Sequence, residues 1–343
     1  MTVFSPRPTP TPLPTVQPDP EHRGSVRSRI AAEVSARTLR RISAVLPPEQ
    51  AWGLWASRQI VANIMNTFGP PLTGVAVEPV DTTLPDGRRV VGEWVRASGV
   101  GSVADTGSAI YFLHGSGYAL CSPRTHRRLT GWLSKLTGQP VFCIDYRLAP
   151  RHRFPTAADD THAGWDWLRT ACALPAHRIV IAGDSAGGHL AVDLLLHNTR
   201  AAPRPAAVVL FSPLIDLTFN LAREQERLRR DPAIRAVDAA RLVRLYCRDI
   251  DPAHPRLTHL LAAAPTPFPR TLIQAGGAEM LAADAHHLAE SIRAGGGDCE
   301  LQIWPDQVHV FQALPKLTPE AAAAMRYAAA FITESLGADE CSA

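Results

Sequence analysis

Three side chains far apart in the chain have the types that nucleophilic catalysis requires. Ser185 stands in IVIAGDSAGGHL (179–190), where an apolar run meets a serine surrounded by Gly183, Gly187 and Gly188. A serine among glycines is ordinarily a turn residue. Where the turn leads from a strand straight into a helix, the GxSxG spacing instead lifts the hydroxyl onto a sharp bend above a helix N-terminus. Such a serine needs a base and donors for an oxyanion. His309, in WPDQVHVF (304–311), follows the last strand-like run, where a loop can return it to Ser185. Glu279, in IQAGGAEMLAADA, directly follows the preceding strand-like run and is the expected orienting acid. Asp284 is the alternative acid, but its position where a helix begins assigns it to capping.

The oxyanion donors are read from His114-Gly115-Ser116-Gly117-Tyr118, which follows another apolar run. Small residues there let backbone N–H groups approach a carbonyl oxygen, and the expected donors are the amides of Ser116, Gly117 and Ala186. His114 is expected to hold this loop by hydrogen bonds rather than to act as the base. Gly115 and Asp184 support the turn, and Tyr118, with residues of 218–266, is expected to shape the substrate pocket.

These groups need a scaffold that brings turns to one rim. VAVEPVDTTLPDGRRVVGEWVRA (75–97) reads as two strands joined at Pro85-Asp86-Gly87. Beyond it, strand-like runs at 108–115, 139–147, 177–184, 205–215, 269–277 and 298–306 alternate with helical stretches near 123–137, 154–171, 186–198, 284–294 and 318–336. That rhythm predicts an α/β fold with a largely parallel sheet covered on both faces. Two regions stand outside it. Residues 25–68 carry Val26, Ile30 and Val34 at four-residue spacing, then Ile42 and Val45, with arginines opposite, and are expected to pack on the protein itself. Residues 218–266 are rich in arginine and leucine, helical in pattern and without a strand. The first twenty residues hold spaced prolines and are expected to be extended and mobile.

Composition narrows the classes. At 343 residues and 46% hydrophobic content the chain supports a sizeable core, and a net charge of +3 without a basic aromatic stripe argues against a nucleic-acid partner. The six cysteines show no metal-ligand spacing and the thirteen histidines no HExxH pattern, so no metal and no cofactor is expected. No leader and no run of ~18 apolar residues is visible, which predicts a cytoplasmic protein without stable membrane insertion. The expected partner is a small molecule, with a homodimer possible.

HGSGY (114–118), YRLAPRHRFPTAADD (146–160), GDSAGG (183–188), SPLIDL (212–217), the Glu279 segment and VHVF (308–311), in this order, resemble the hormone-sensitive-lipase-like branch (family IV) of α/β-hydrolases, with its bacterial esterases and acetyl-hydrolases. The resemblance implies an α/β-hydrolase fold, with a mostly parallel eight-stranded sheet flanked by helices and a helical cap that includes N-terminal residues. It divides the chain into a proline-rich tail (1–24), N-terminal cap helices (25–72), a catalytic domain (73–217 and 267–338), a cap insertion (218–266) and a C-terminal tail (339–343). It implies a serine carboxylester hydrolase for short- to medium-chain acyl esters, working through Ser185, His309 and Glu279. An acetyl-hydrolase, amidase or lactone hydrolase with the same three residues is the alternative, and a non-catalytic ligand receptor a more distant one. The chain departs from the family pattern twice: Ser116 replaces a glycine of the usual HGGG, and glutamate stands where aspartate is usual. Arg147, Asp159 and Asp160 read as structural, an ion pair holding a loop.

Overall fold

Short apolar runs become eight strands: β1 (Val75–Thr83), β2 (Arg89–Ala97), β3 (Ala109–Leu113), β4 (Val141–Ile144), β5 (Ile179–Asp184), β6 (Ala207–Phe211), β7 (Thr271–Gly276) and β8 (Cys299–Trp304). They form one sheet in the order β1-β2-β4-β3-β5-β6-β7-β8. β1 and β2 pair antiparallel as the expected hairpin, β2 joins β4 antiparallel, and every later pairing is parallel. This is the α/β-hydrolase architecture. The structure, a computed structural model, describes residues 23–197, 204–251, 254, 257 and 268–337. Most of the expected N-terminal tail, all of 339–343 and Cys341 lie outside the described residues.

The central strands β3 to β7 are buried at every position and mainly apolar because both faces are covered. On β3, Tyr111 and Leu113 enter one hydrophobic cluster while Ile110 and Phe112 enter the other. β5 repeats this with Ile179 and Ile181 against Val180 and Ala182. Side chains alternate across a pleated strand, so each face needs its own cover. Eleven helices are described: α1 (Val26–Arg37), α2 (Leu39–Val45), α3 (Ala51–Phe68), α4 (Val103–Thr106), α5 (Pro123–Thr137), α6 (Thr156–Thr170), α7 (Ala186–His197), α8 (Asn220–Leu228), α9 (Ala236–Val243), α10 (Ala282–Ala294) and α11 (Glu320–Gly337). α6, α7 and α10 cover the first face through Trp165, Leu190 and Leu288, and α5 and α11 the second through Leu133 and Phe331. α5 shows how local chemistry sets such a helix: Pro123 occupies its first turn, and Gly138, at φ +68°, closes it. The expected loop tie is present, with Arg147 forking onto Asp160 at 2.7 and 2.9 Å.

The 25–68 region departs from expectation. Its helical pattern breaks into α1, α2 and α3, and the apolar stripe of α1 is not packed into the core: Val26 is 63% exposed, Ile30 57% and Val34 52%. The small residues Ser28 and Ala31 make the buried contact instead. A polar tie fixes the helix there, with the Ser28 hydroxyl donating to Glu320 at 2.6 Å and the Ser25 amide donating to the other Glu320 oxygen at 2.6 Å. Residues 218–251 supply α8 and α9 and no strand, as the pattern predicts for this segment.

Candidate active site

β5 ends at Asp184, and the chain turns at Ser185 with φ +50° before entering α7. A left-handed serine is strained, so the bend must be held from outside. The Ser185 amide donates to Phe211 O at 2.9 Å, and its carbonyl accepts from the amides of Gly188 (2.9 Å) and Leu214 (3.0 Å). Glycine is required behind the bend: a Cβ on Gly187 would sit 1.9 Å from the carbonyl oxygen of Leu113 on β3.

β3 leads into the other half of the site. Ser116, Gly117 and Tyr118 all adopt positive φ (+77°, +60° and +61°), a curled backbone of the kind that concentrates N–H groups into an anion-binding concavity. Among the described residues, the amides of Ser116, Gly117 and Ala186 donate to no other protein group. Asp184 joins the two halves, its carboxylate accepting from the Gly115 amide at 3.0 Å and lying 3.2 Å from His126 Nε2. The approach is so close that a Cβ on Gly115 would meet Asp184 Oδ2 at 2.2 Å. The Ser116 hydroxyl turns aside and accepts from Cys121 Sγ at 2.9 Å.

His114 is buried, its ring stacked on Tyr146 with centroids 4.1 Å apart and Nδ1 3.2 Å from Gly115 O. Burial, with nearby His126, pulls its pKa down to about 3, so the ring is neutral. Tyr118 does not line the cavities beside Ser185, contrary to expectation. It is fully buried and stacks on Tyr246 of the inserted segment at 4.1 Å. The segment's own contribution to the wall comes from Asp231, Ile234, Leu242 and their neighbours.

His309 sits in the loop after β8. Its Nδ1 forms a short hydrogen bond with Glu279 Oε2, and its ring remains 26% exposed. Glu279, in the loop after β7, is buried, and its second oxygen accepts from the Ser212 hydroxyl (2.7 Å) and the Gly276 amide (2.6 Å). Burial alone would lower the imidazole pKa. The charge and hydrogen bond of Glu279, with Asp231 and Asp184 farther off, outweigh it and hold His309 above the usual histidine value. With Nδ1 turned to Glu279, Nε2 is the ring nitrogen not engaged by that carboxylate.

Asp284 is brought to a different task from either expectation. It is buried in the first turn of α10, and its Oδ1 accepts from the amides of Ile215 and Asp216, both at 2.8 Å, so it pins the loop after β6 rather than capping its own helix. Burial pushes its pKa up to about 7.

Ser185, Ser116 and His309 all line two cavities. One, of about 230 Å³, is walled by Leu39, Ile42, Val61, Phe219, Ile234 and Leu242. The other, of about 660 Å³, is walled by Ile30, Val34, Ile64, Phe68, Val308 and Val310. Among the described residues the Ser185 hydroxyl makes no hydrogen bond; what joins it to His309 is this shared wall.

Three residues were missed from the sequence. Ser212 donates to Glu279 and accepts from the Val310 amide at 3.0 Å, fixing the acid and the residue after His309 together. It opens SPLIDL, whose position beyond a strand was the available signal. His126, in α5, touches Asp184. Asp231 is buried and accepts from the amides of Ala233 (2.7 Å), Ile234 (3.2 Å) and Met280 (2.8 Å), with its pKa pushed up to about 6 by burial. Nothing in its local sequence announces this.

A family model described as the alpha/beta hydrolase fold matches residues 110–313. The chain is 37% identical over 248 residues to "Esterase LipU" of Mycobacterium tuberculosis, covering 71% of this chain and 83% of that one. It is 34% identical over 247 residues to an "Acetyl-hydrolase" of Streptomyces hygroscopicus, covering 71% and 80%. The crystal structure of an esterase from the bacterial hormone-sensitive lipase family superposes with a TM-score of 0.78 at 28% identity, covering 92% of this chain and all of that one. The chain belongs to the α/β-hydrolase fold family, in its hormone-sensitive-lipase-like branch. Within it, this is a carboxylesterase-type hydrolase.

Proposed function

We propose that the protein cleaves short- to medium-chain carboxylic esters through an acyl-enzyme on Ser185. His309 Nε2 takes the serine proton as Oγ bonds to the ester carbonyl carbon, and the amides of Ser116, Gly117 and Ala186 receive the oxyanion. Such donors are typically worth ~3 kcal/mol each to the transition state. Glu279 holds the Nδ1–H tautomer and stabilises the imidazolium. His309 then gives its proton to the leaving alcohol, and water, activated by the same imidazole, releases the acid. The serine–imidazole hydrogen bond forms as substrate fills the shared cavity, as is common in such sites.

The observation that carries this reading is the Glu279–His309 pair opening onto the same cavity wall as Ser185. The smaller cavity is assigned to the acyl chain: an apolar void of ~150 Å³ accommodates a benzene ring, so 230 Å³ suits a chain of several carbons. The larger cavity is assigned to the alcohol, because its wall includes Val308, His309 and Val310, beside the proton the leaving group needs. Residues of α1–α3 and of the segment 219–243 act as the cap that lines both.

A panel of p-nitrophenyl esters of rising chain length, with lactones and N-acetyl compounds alongside, tests the assignment. The expected result is highest kcat/KM on short and medium esters, with fluorophosphonate labelling that disappears in Ser185→Ala. A wild-type enzyme that never labels, or that prefers the N-acetyl compounds, refutes it.

A further inference from the structure

A further concavity of about 590 Å³, which shares Asp231 with the smaller cavity but is not lined by Ser185 or His309, lies between α1, α2 and the segment 229–235. Six arginines line it: Arg29, Arg40, Arg41, Arg229, Arg230 and Arg235. Only three carboxylates do, those of Glu33, Asp231 and Asp306. The pairings leave a surplus. Arg229 bonds Asp306 at 2.5 Å, and Arg235 forks onto Asp238. Arg40 bonds Glu226 at 2.8 Å and donates to the Asp231 carbonyl at 2.5 Å. Glu33 is taken by Arg37, and the Asp231 carboxylate by backbone amides. Arg29, Arg41 and Arg230 therefore line the cavity with no close ion pair among the described residues, Arg29 acting on Asp306 only through its longer-range charge.

Solubility is served by charges spread over a convex surface, where like charges stay apart. Gathering guanidinium groups around a hollow raises their mutual repulsion and focuses a positive field within it. A carboxylate satisfies one planar fork. A phosphate group, with more oxygens and more charge, accepts from several forks at once. We propose that this cavity binds a phosphate group, carried either by a soluble phosphate ester or by an anionic phospholipid headgroup. None of the six arginines takes part in the proposed ester chemistry, and the proposal does not rest on it.

The probes are inorganic pyrophosphate, followed by calorimetry on the full chain at low salt, and vesicles with or without phosphatidylglycerol in phosphatidylcholine, followed by flotation. Wild type is expected to bind pyrophosphate saturably, with affinity falling as salt rises. Arg41→Ala/Arg230→Ala is expected to weaken binding by about tenfold or more, since each lost guanidinium removes a charge-assisted contact. Each single variant should give part of that loss, so the test survives if the double variant folds poorly. Arg124→Ala/Arg326→Ala removes the same formal charge outside the cavity and should stay within about twofold of wild type. Flotation with phosphatidylglycerol, lost in the Arg41/Arg230 variants, assigns the source as a headgroup; pyrophosphate binding alone assigns a soluble ester. The proposal is overturned if wild type binds neither probe, if the cavity variants bind like wild type, or if the control pair loses as much.

Discussion

Replacing Glu279 by glutamine alters one atom and tests the whole relay. The carboxylate has two committed oxygens, one on His309 Nδ1 and the other on Ser212 Oγ and Gly276 N. An amide has one oxygen and one NH2 and cannot serve both sides. If its oxygen keeps Ser212 and Gly276, its NH2 faces Nδ1, which must then accept. The ring proton moves to Nε2, and the imidazole can no longer take a proton from Ser185. That tautomer error costs ~10⁴ in kcat where it has been isolated. If the amide turns over, the tautomer is right, but the NH2 opposes the buried Gly276 N–H, a loss of about 1–3 kcal/mol, and the imidazolium loses its counter-charge. Either way kcat on a p-nitrophenyl ester should fall by about a thousandfold or more. The pH profile gives a second, independent reading. Glu279 is what lifts His309 above its usual value against burial, so activity, which needs neutral imidazole, declines as pH falls through that raised pKa. In Glu279→Gln burial acts with little opposition, and the residual activity should persist to lower pH. A variant within about tenfold of wild type, with an unmoved acid limb, would falsify the assignment of Glu279.

Other substitutions separate the supporting roles. Ser212→Ala removes a donor to Glu279 and strands the Val310 amide, so kcat should drop ~10–100-fold with about 1–3 kcal/mol lost in urea unfolding; full activity would remove Ser212 from the site. Asp284→Asn should leave kcat within about threefold, because the amide oxygen can still accept from Ile215 and Asp216. Its stability effect carries a pH sign. The folded Asp284 pKa is raised to about 7, so the stability it contributes is complete below the unfolded value near 4 and is lost as pH rises through 7. Asparagine escapes that loss, and its melting temperature relative to wild type should be more favourable at pH 8 than at pH 5; the reverse order would count against a buried, proton-retaining carboxyl. Ser116→Gly relieves a left-handed serine at φ +77°, worth ~1–2 kcal/mol, against ~0.4–1 for the freer unfolded chain. The variant should be at least as stable as wild type and keep the amide; a loss beyond about 2 kcal/mol would show that the Cys121 contact matters more.

The strands β3 to β6 were legible because each is a mainly apolar run between turn residues, and burial on both faces leaves such a run few other fates. The turn at Ser185 was legible for a related reason: the packing of Gly187 against Leu113 tolerates no side chain, and glycine writes that constraint into the sequence. The placement of the α1 stripe outside the core could not be read. Periodicity marks an apolar face but not what meets it, and the anchoring contact runs from Ser28 to Glu320, 292 positions away. Asp284 misled for the same reason. Its place near a helix start looks like a cap, while the amides it serves lie across the fold at Ile215 and Asp216. Glu279 was singled out from its place after a strand, yet the hydroxyl that steadies it, Ser212, needed the pairing of β6 with β7 to bring it near.

β3 and β5 are adjacent parallel strands, paired from Ala109↔Ile179 to Leu113↔Gly183, and Asp184 ties the loop beyond one to the bend beyond the other. The proposed nucleophile Ser185 and the proposed amide cradle therefore ride on a single rigid unit, whereas much of the cavity lining comes from helices that do not belong to the sheet. Reactivity and selectivity are thus mechanically decoupled. Remodelling α2, α3 or the 231–243 stretch can recut the chamber for a bulkier or more polar guest without disturbing the distance over which the bond is broken.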